Sequence, residues 1–215
     1  MTNQLSKQQF IQLVLQILDR LEASADQLNR LDAAVGDGDL GVTITLGSRA
    51  VRDSLHSLAD QDLGSIMARA GMAFNSAAPS TMGALMAIGS MRAGREARGA
   101  HQLDLPLLAR AARAFESAIQ EKGQASRGDK TMLDALGPAA DALEQALTEG
   151  KSLEQATRDA ANAANAGVEA TIPLKAKSGR AAWITDRTAG QPDPGATVVS
   201  IIWQAIADFL DHPSA

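Results

Sequence analysis

Apolar side chains recur at helical spacing along most of this 215-residue chain. Over 8–31 they form the i, i+3, i+4, i+7 stripe of an amphipathic helix, with members Ile11, Val14, Leu15, Leu18 and Leu21. The same spacing predicts further helices over 42–59, 63–76, 80–97, 105–122, 131–149, 153–171 and 195–211. No strand-like alternation competes with it. The pattern therefore predicts an all-α fold of eight helices.

Residues that favour helix ends flank these segments. They are the capping boxes Ser6 with Gln9 and Ser152 with Gln155, the N-cap candidates Asp62 and Asp104, Pro106 in a first turn, and Gly150 as a stop. Most connections are short, so successive helices should run antiparallel and surround one core as a bundle or closed ring. Without repeats or a Pro/Ser linker, residues 1–215 are expected to form a single domain.

Composition excludes several classes of protein. The formal net charge is −5, and the 25 acidic and 20 basic residues are interspersed, which disfavours nucleic acid as a partner. The chain has no cysteine, so any metal must bind to oxygen or imidazole. Neither a signal-peptide pattern nor an apolar run of the ~18 residues that span a bilayer is present. We therefore expect a cytoplasmic enzyme with no membrane partner.

Two connections are long and rich in Gly, Asp, Pro or Thr, namely 31–41 and 176–195. Loops on a rigid helical frame are where chemistry is usually placed. The first contains three carboxylates and three glycines within ten residues: Asp32, Asp37, Asp39, Gly36, Gly38 and Gly41. Carboxylates this close repel one another unless a cation neutralises them, and magnesium prefers such hard oxygen ligands. The loop therefore predicts a magnesium site for a phosphate-bearing ligand.

This loop has two other interpretations. Asp-Gly pairs commonly do no more than make turns, although one turn does not need three aspartates. A calcium EF-hand would start at Asp37, but Gly41 would then occupy position 5, Val42 the glycine position and Ser48 position 12. The EF-hand pattern fails, and the turn remains the alternative to the metal site.

Five blocks of sequence are spread over nearly the whole chain: "LDAAVGDGDLG", "PSTMGALMA", "GDKTMLDAL", "KSGRAAWI" and "DPGATVV". Together, and in this order, they resemble the ADP/ATP-binding L subunit of the dihydroxyacetone kinase family. The resemblance implies an eight-helix antiparallel barrel with nucleotide at one end, in agreement with the helix count. It also implies that Asp32, Asp37 and Asp39 are the catalytic residues and bind two Mg²⁺ ions bridged by nucleotide phosphates.

The resemblance implies further contacts to ATP or ADP. These involve Leu40, Gly41, Val42, Thr43, Ser80, Thr81, Gly123, Met132, Arg180, Asp193 and Gly195. Leu40 stands where the family often has a polar residue. For Thr43, Ser80 and Thr81, capping or an ordinary place on the helix surface is the alternative role. Asp129 is expected to cap the following helix and hold its loop.

The implied function is that of a two-component kinase. This chain would carry nucleotide and magnesium, while a separate K subunit holds a short ketose. Free ATP and a phosphocarrier protein that rephosphorylates bound ADP are both left open as donors, and so is a homodimer. The alternatives are a nucleotide-bound regulatory protein that docks without turnover and a nucleotide domain like that of fatty-acid kinases.

Overall fold

The computed structural model describes residues 3–58, 60–178 and 188–211. Within them the chain forms nine helices, so the predicted all-α class is confirmed. Their bounds are α1 Lys7–Ala23, α2 Ala25–Val35, α3 Leu40–Leu55, α4 Leu63–Ala77, α5 Thr81–Glu96, α6 Leu105–Gly123, α7 Leu133–Thr148, α8 Leu153–Thr171 and α9 Pro194–Asp211. Between α5 and α6, strand β2 (Gln102–Asp104) pairs with strand β1 (Gln4–Ser6), which precedes α1.

The first predicted helix, 8–31, is in fact two helices, and this changes the count from eight to nine. The break falls at Ser24, whose hydroxyl donates to the carbonyl of Arg20 at 2.8 Å. The Ser24 amide also turns back, onto the carbonyls of Arg20 and Leu21 at 3.1 Å each. A serine that bonds back to the preceding turn bends a helix, and here the chain starts a new helix in a new direction.

The two-stranded sheet was missed by the sequence prediction. Each strand has three residues, and Leu5 faces Leu103 in antiparallel register with both side chains buried. Three residues are too few to show a period of two. The sheet fixes the chain before α1 to the chain before α6.

Four of the predicted helix caps are confirmed. Both capping boxes form, at Ser6 and at Ser152. Asp62 accepts the amide of Ser65 and Asp104 that of Leu107, both at 2.9 Å. Helix ends are thus specified locally, which is why the sequence located most of them within a few residues.

Each helix packs against its neighbour in the chain, and α1 contacts both α3 and α9. Glycines allow some of these contacts to be close: a Cβ on Gly64 would collide with the carbonyl oxygen of Gly94, so α4 and α5 meet backbone to backbone. The helices enclose one apolar core and an apolar cavity of about 270 Å³. Closure into a barrel stays a prediction. None of the described helices is both long and apolar enough to span a membrane.

Candidate functional site

The acidic segment connects α2 to α3. Helix α2 continues to Val35, so the connection is shorter than predicted and Asp32 lies in the last helical turn rather than in the loop. Asp32, Asp37 and Asp39 each offer a carboxylate oxygen, and these oxygens lie within 4.8 Å of one another. The structure therefore brings the three predicted ligands together.

Asp32 also organises the connection. Its Oδ2 accepts the backbone amides of Gly38 at 2.9 Å and Asp39 at 3.0 Å. Gly38 has φ +77°, a conformation that L side chains rarely adopt. At Gly36 a Cβ would lie 2.8 Å from Asp32 Oδ1. Both glycines are therefore needed for the chain to fold back over Asp32.

Asn29 fixes the start of α3, and sequence reasoning did not identify it. Its Oδ1 accepts the amide of Gly41 at 2.7 Å. Gly41 itself packs so closely on α2 that a Cβ would collide with the carbonyl of Ala25. The partners are twelve residues apart, so no local pattern reveals the contact. Asn29 thereby sets the direction in which α3 leaves the acidic segment.

A cavity of about 260 Å³ adjoins the acidic segment. The predicted site residues that line it are Asp32, Asp37, Asp39, Leu40, Thr43, Ser80, Thr81, Gly123, Met132, Asp193 and Gly195. Gly41 and Val42 do not line it; the Gly41 amide is directed to Asn29, and the side chain of Val42 is exposed. Arg180 lies outside the described residues. Four separate connections thus contribute predicted residues to one cavity wall.

Part of the cavity wall is apolar. It is formed by Leu85 of α5, Ile119 of α6, Ala125 and, at the start of α7, Met132 and Leu133. At Gly123, the last residue of α6, a Cβ would meet no atom closer than 3.9 Å, so the space beside this residue is open. The cavity wall therefore combines charged oxygens with an apolar portion.

Ser80 has the capping role that was its alternative interpretation. Its hydroxyl oxygen accepts the amide of Gly83 at 3.0 Å at the start of α5, and the hydroxyl donates to the carbonyl of Ala78 at 3.2 Å. It lines the cavity as well. Capping and a contact to a ligand are compatible, because a hydroxyl oxygen has two lone pairs.

The connection between α6 and α7 is held by Asp134. One of its oxygens accepts the amide of Gly128 at 2.5 Å, and the other that of Thr131 at 2.7 Å. Asp129 does hold this loop, by accepting the amide of Ser126 at 2.8 Å. It does not cap α7, however: Met132 is the N-cap residue and makes no side-chain cap. The expected capping role of Asp129 was wrong, because the first amides of α7 bond to oxygens of Thr131 and Met132 instead.

Asp193 starts α9. Its Oδ2 accepts the amide of Ala196 at 2.7 Å and caps the helix. Burial raises the pKa of Asp193 to about 7, while the Ala196 amide and the Lys130 ammonium oppose this shift. The carboxyl group is therefore poised between its neutral and charged forms near neutral pH.

Lys130 is the second residue that sequence reasoning missed. It is 3% exposed, has φ +61°, and is the only basic residue among the described residues that line the cavity. Its ammonium donates to the carbonyls of Thr171 at 2.6 Å and Gln191 at 2.5 Å. These partners are 41 and 61 residues away in the chain, which is why no sequence pattern pointed to them.

The donor set suits magnesium. Three carboxylates supply only hard oxygens, and Asp37 and Asp39 are exposed at the cavity, so further oxygens from a ligand can complete the coordination shell. The fold and site together define an all-helical protein with a candidate divalent-cation site beside a cavity whose wall is partly charged and partly apolar.

The chain belongs to the DAK2 domain family, which matches residues 34–208. One relative is the PEP-dependent dihydroxyacetone kinase, ADP-binding subunit DhaL, of Escherichia coli, 30% identical over 94% of this chain and 97% of that protein. Another is the D-erythrulose kinase of Mycolicibacterium smegmatis, 34% identical over 92% of this chain but 35% of that protein. These names confirm the predicted family and the phosphotransferase class.

Two solved structures of the dihydroxyacetone kinase of C. freundii share the fold. The native form has a TM-score of 0.71 and 29% identity, and it matches 92% of this chain and 34% of the kinase chain. The complex with AMP-PNP and Mg²⁺ has a TM-score of 0.68 and matches 33% of the kinase chain. This chain thus spans about a third of the length of that kinase and nearly all of the bacterial ADP-binding subunit.

Proposed function

We propose that this chain is the nucleotide- and magnesium-binding subunit of a dihydroxyacetone-type kinase. It would transfer a phosphoryl group from ATP, or from ATP re-formed on bound ADP, to a short ketose held on a separate K subunit. The observation that carries the proposal is the cluster of Asp32, Asp37 and Asp39 in the wall of a cavity that also has an apolar portion.

Two parts of the cavity wall suit the two parts of a nucleotide. The apolar portion beside Gly123 and Met132 suits adenine, and the carboxylates suit the metal-bound phosphates. Bound Mg²⁺ would neutralise the charge that builds up on the transferred group. The protein's own part is to position phosphates and acceptor, because phosphoryl transfer needs little covalent help.

The relatives support a separate partner subunit. The E. coli relative is named as the ADP-binding subunit of its kinase, and this chain covers 97% of it. The D-erythrulose kinase is a longer protein, of which this chain covers only 35%. We infer that a K subunit selects the ketose and supplies it beside the carboxylates of the cavity.

The name of the E. coli relative specifies an ADP-binding subunit and PEP dependence. By analogy we favour a firmly held ADP that a phosphocarrier protein rephosphorylates. The test is to denature the purified protein and identify any released nucleotide by chromatography. Stoichiometric ADP supports the phosphocarrier route, whereas an empty site with free exchange of ATP supports direct use of ATP.

Binding experiments test the site itself. Asp37→Asn and Asp39→Asn are each expected to weaken Mn²⁺ binding, measured by electron paramagnetic resonance, and metal-dependent ADP binding, measured by calorimetry. Asp53→Asn is the matched control, since Asp53 is an exposed aspartate further along α3. Unchanged Mn²⁺ and ADP affinities in both site variants would overturn the metal assignment.

Turnover separates the kinase from a docking protein of the same fold. The chain, a candidate K subunit, Mg²⁺ and each donor in turn are incubated with dihydroxyacetone and larger ketoses. A phosphorylated ketose supports the kinase. Nucleotide binding without any phosphorylated product, under either donor, supports the regulatory alternative.

A further inference from the structure

Lys130 combines burial with a backbone conformation that lysine disfavours. Its side chain is 3% exposed, and φ is +61°, in the left-handed region that favours glycine. Glycine or asparagine would satisfy this backbone at lower cost. A lysine at such a position therefore needs a reason that lies in its side chain.

The ammonium group joins two segments that lie far apart in the chain. One acceptor is the carbonyl of Thr171, in the last turn of α8, and the other is the carbonyl of Gln191, just before α9. A helix end leaves carbonyls without helical partners, so the ammonium satisfies one of these as well. Lys130 thus holds the end of α8 and the start of α9 against the connection that precedes α7.

This junction sets the cavity wall at Asp193 and Gly195. The amide of Asp193 donates to the hydroxyl of Thr171 at 2.9 Å, so the residue that Lys130 holds is also the one that positions Asp193. Gly195 then lies against Met132, with only 3.4 Å between the Met132 Cβ and a Cβ built on Gly195. Any shift of this junction moves the wall.

The positive charge of Lys130 also suits a role in holding the cavity wall. Burial lowers the pKa of Lys130, and the carboxylates of Asp193 and Asp134 oppose this shift. Both hydrogen-bond partners are carbonyl oxygens, which require donors and therefore suit the protonated form. The ammonium is a fixed donor that links three segments of the wall.

We propose that Lys130 is a positioning residue of the nucleotide site, which holds Asp193 and Gly195 beside Met132 in the geometry that receives a nucleoside diphosphate or triphosphate. This inference rests on the proposed function. Lys130 acts through the residues that it holds, whereas the acidic segment on α2 and α3 is built independently by Asp32 and Asn29.

The test compares Lys130→Met, Lys130→Gly and the control Lys151→Met. Methionine keeps the length and burial but removes the donors, while glycine removes the donors and relieves the backbone. Lys151 also makes ion pairs, with Glu149 and Asp159, but lies on the α7–α8 connection and does not line the cavity. Calorimetry gives ADP affinity with Mg²⁺, Mn²⁺ titration without nucleotide reports on the acidic segment, and circular dichroism confirms that each variant is folded.

Both Lys130 variants are expected to bind ADP at least ~10-fold more weakly, because two charge-assisted hydrogen bonds that order the wall are lost. The Mn²⁺ affinity of both Lys130 variants should stay within about twofold of wild type. The control Lys151→Met should keep both its ADP affinity and its Mn²⁺ affinity within the same range. A purely structural lysine would instead lower the melting temperature and leave ADP affinity intact in the folded protein. ADP affinity within twofold of wild type in folded Lys130→Gly overturns the inference. Absence of ADP and Mn²⁺ binding in wild type would overturn the proposed function instead.

Discussion

Asp32 has two roles in the structure, and two substitutions separate them. As a hydrogen-bond acceptor it holds the amides of Gly38 and Asp39, and as a charge it belongs to the proposed metal site. Asp32→Ala removes both the acceptor and the charge. Asp32→Asn keeps a side-chain oxygen that can accept these amides but removes the charge. The connection should therefore open far more often in Asp32→Ala than in Asp32→Asn, whereas metal binding should be weaker in both variants.

The magnitude follows from the two hydrogen bonds. A bond to a charged acceptor contributes roughly 1.5–3 kcal/mol, and we use the lower end because water can reach both amides. Asp32→Ala then lowers the free energy of local opening by about 2–3 kcal/mol, which corresponds to roughly 30- to 150-fold faster amide exchange. Asp32→Asn retains neutral bonds and should lose about 1 kcal/mol, or roughly fivefold.

Hydrogen exchange by nuclear magnetic resonance, read at the amides of Gly38 and Asp39 without metal, measures this directly. Mn²⁺ titration measures the second role, and Asp53→Ala on α3 controls for the loss of an exposed carboxylate. Equal exchange in Asp32→Ala and wild type would refute the hydrogen-bond reasoning. Undiminished Mn²⁺ affinity in Asp32→Asn would refute the role of Asp32 as a ligand.

Two further predictions concern buried polar groups. Within the described residues, the Ser48 hydroxyl is fully buried and makes no hydrogen bond. Ser48→Ala should therefore raise the free energy of unfolding, measured by urea denaturation, by about 1 kcal/mol. The control Ser54→Ala loses a hydrogen bond to Val51 and should not raise it. Burial raises the pKa of Asp193 to about 7, so between about pH 4 and 7 the folded wild type keeps a proton that the unfolded chain releases. As the pH rises over that range, the contribution of Asp193 to the free energy of unfolding therefore falls by at most ~4 kcal/mol. Asp193→Asn lacks this proton, so its stability relative to wild type should rise with pH and level off above about pH 7; a difference in melting temperature that is the same at pH 5 and 8 would contradict this.

The parts of the fold that depend on local interactions were predictable from sequence. Apolar periodicity located the helices, and caps such as Asp62 and Asp104 marked where they begin. The break at Ser24 was not predictable, because the apolar stripe continues across it and neither Gly nor Pro marks it. Strands of three residues carry too little pattern to be detected. Local chemistry thus predicts that a helix exists more reliably than it predicts where one helix becomes two.

The same difference between local and long-range interactions applies to the candidate site. Its carboxylates are close in sequence, so their like charges revealed them, and the family resemblance supplied residues such as Met132 that carry no chemical signal of their own. Asn29 and Lys130 act over 12 to 61 residues of chain and become visible only when the helices are packed. The residues proposed to contact a ligand were thus found through charge or through the resemblance, whereas Asn29 and Lys130, which hold the surrounding segments, were not.

The order of the connections explains why the candidate-site residues that line the cavity lie at one end of the molecule. In an up-and-down arrangement every second connection reaches the same end. The connections before α3, α5, α7 and α9 all contribute to the cavity wall, through Asp39, Ser80, Lys130 and Asp193. At the other end, the connections before α4 and α6 bond to each other, through the amide of Leu63 and the carbonyl of Ala100 at 2.9 Å. One end thus stabilises the frame while the other carries the candidate site. Substitutions near Leu63 are therefore expected to affect stability, and those near Asp39 or Lys130 are expected to affect ligand affinity.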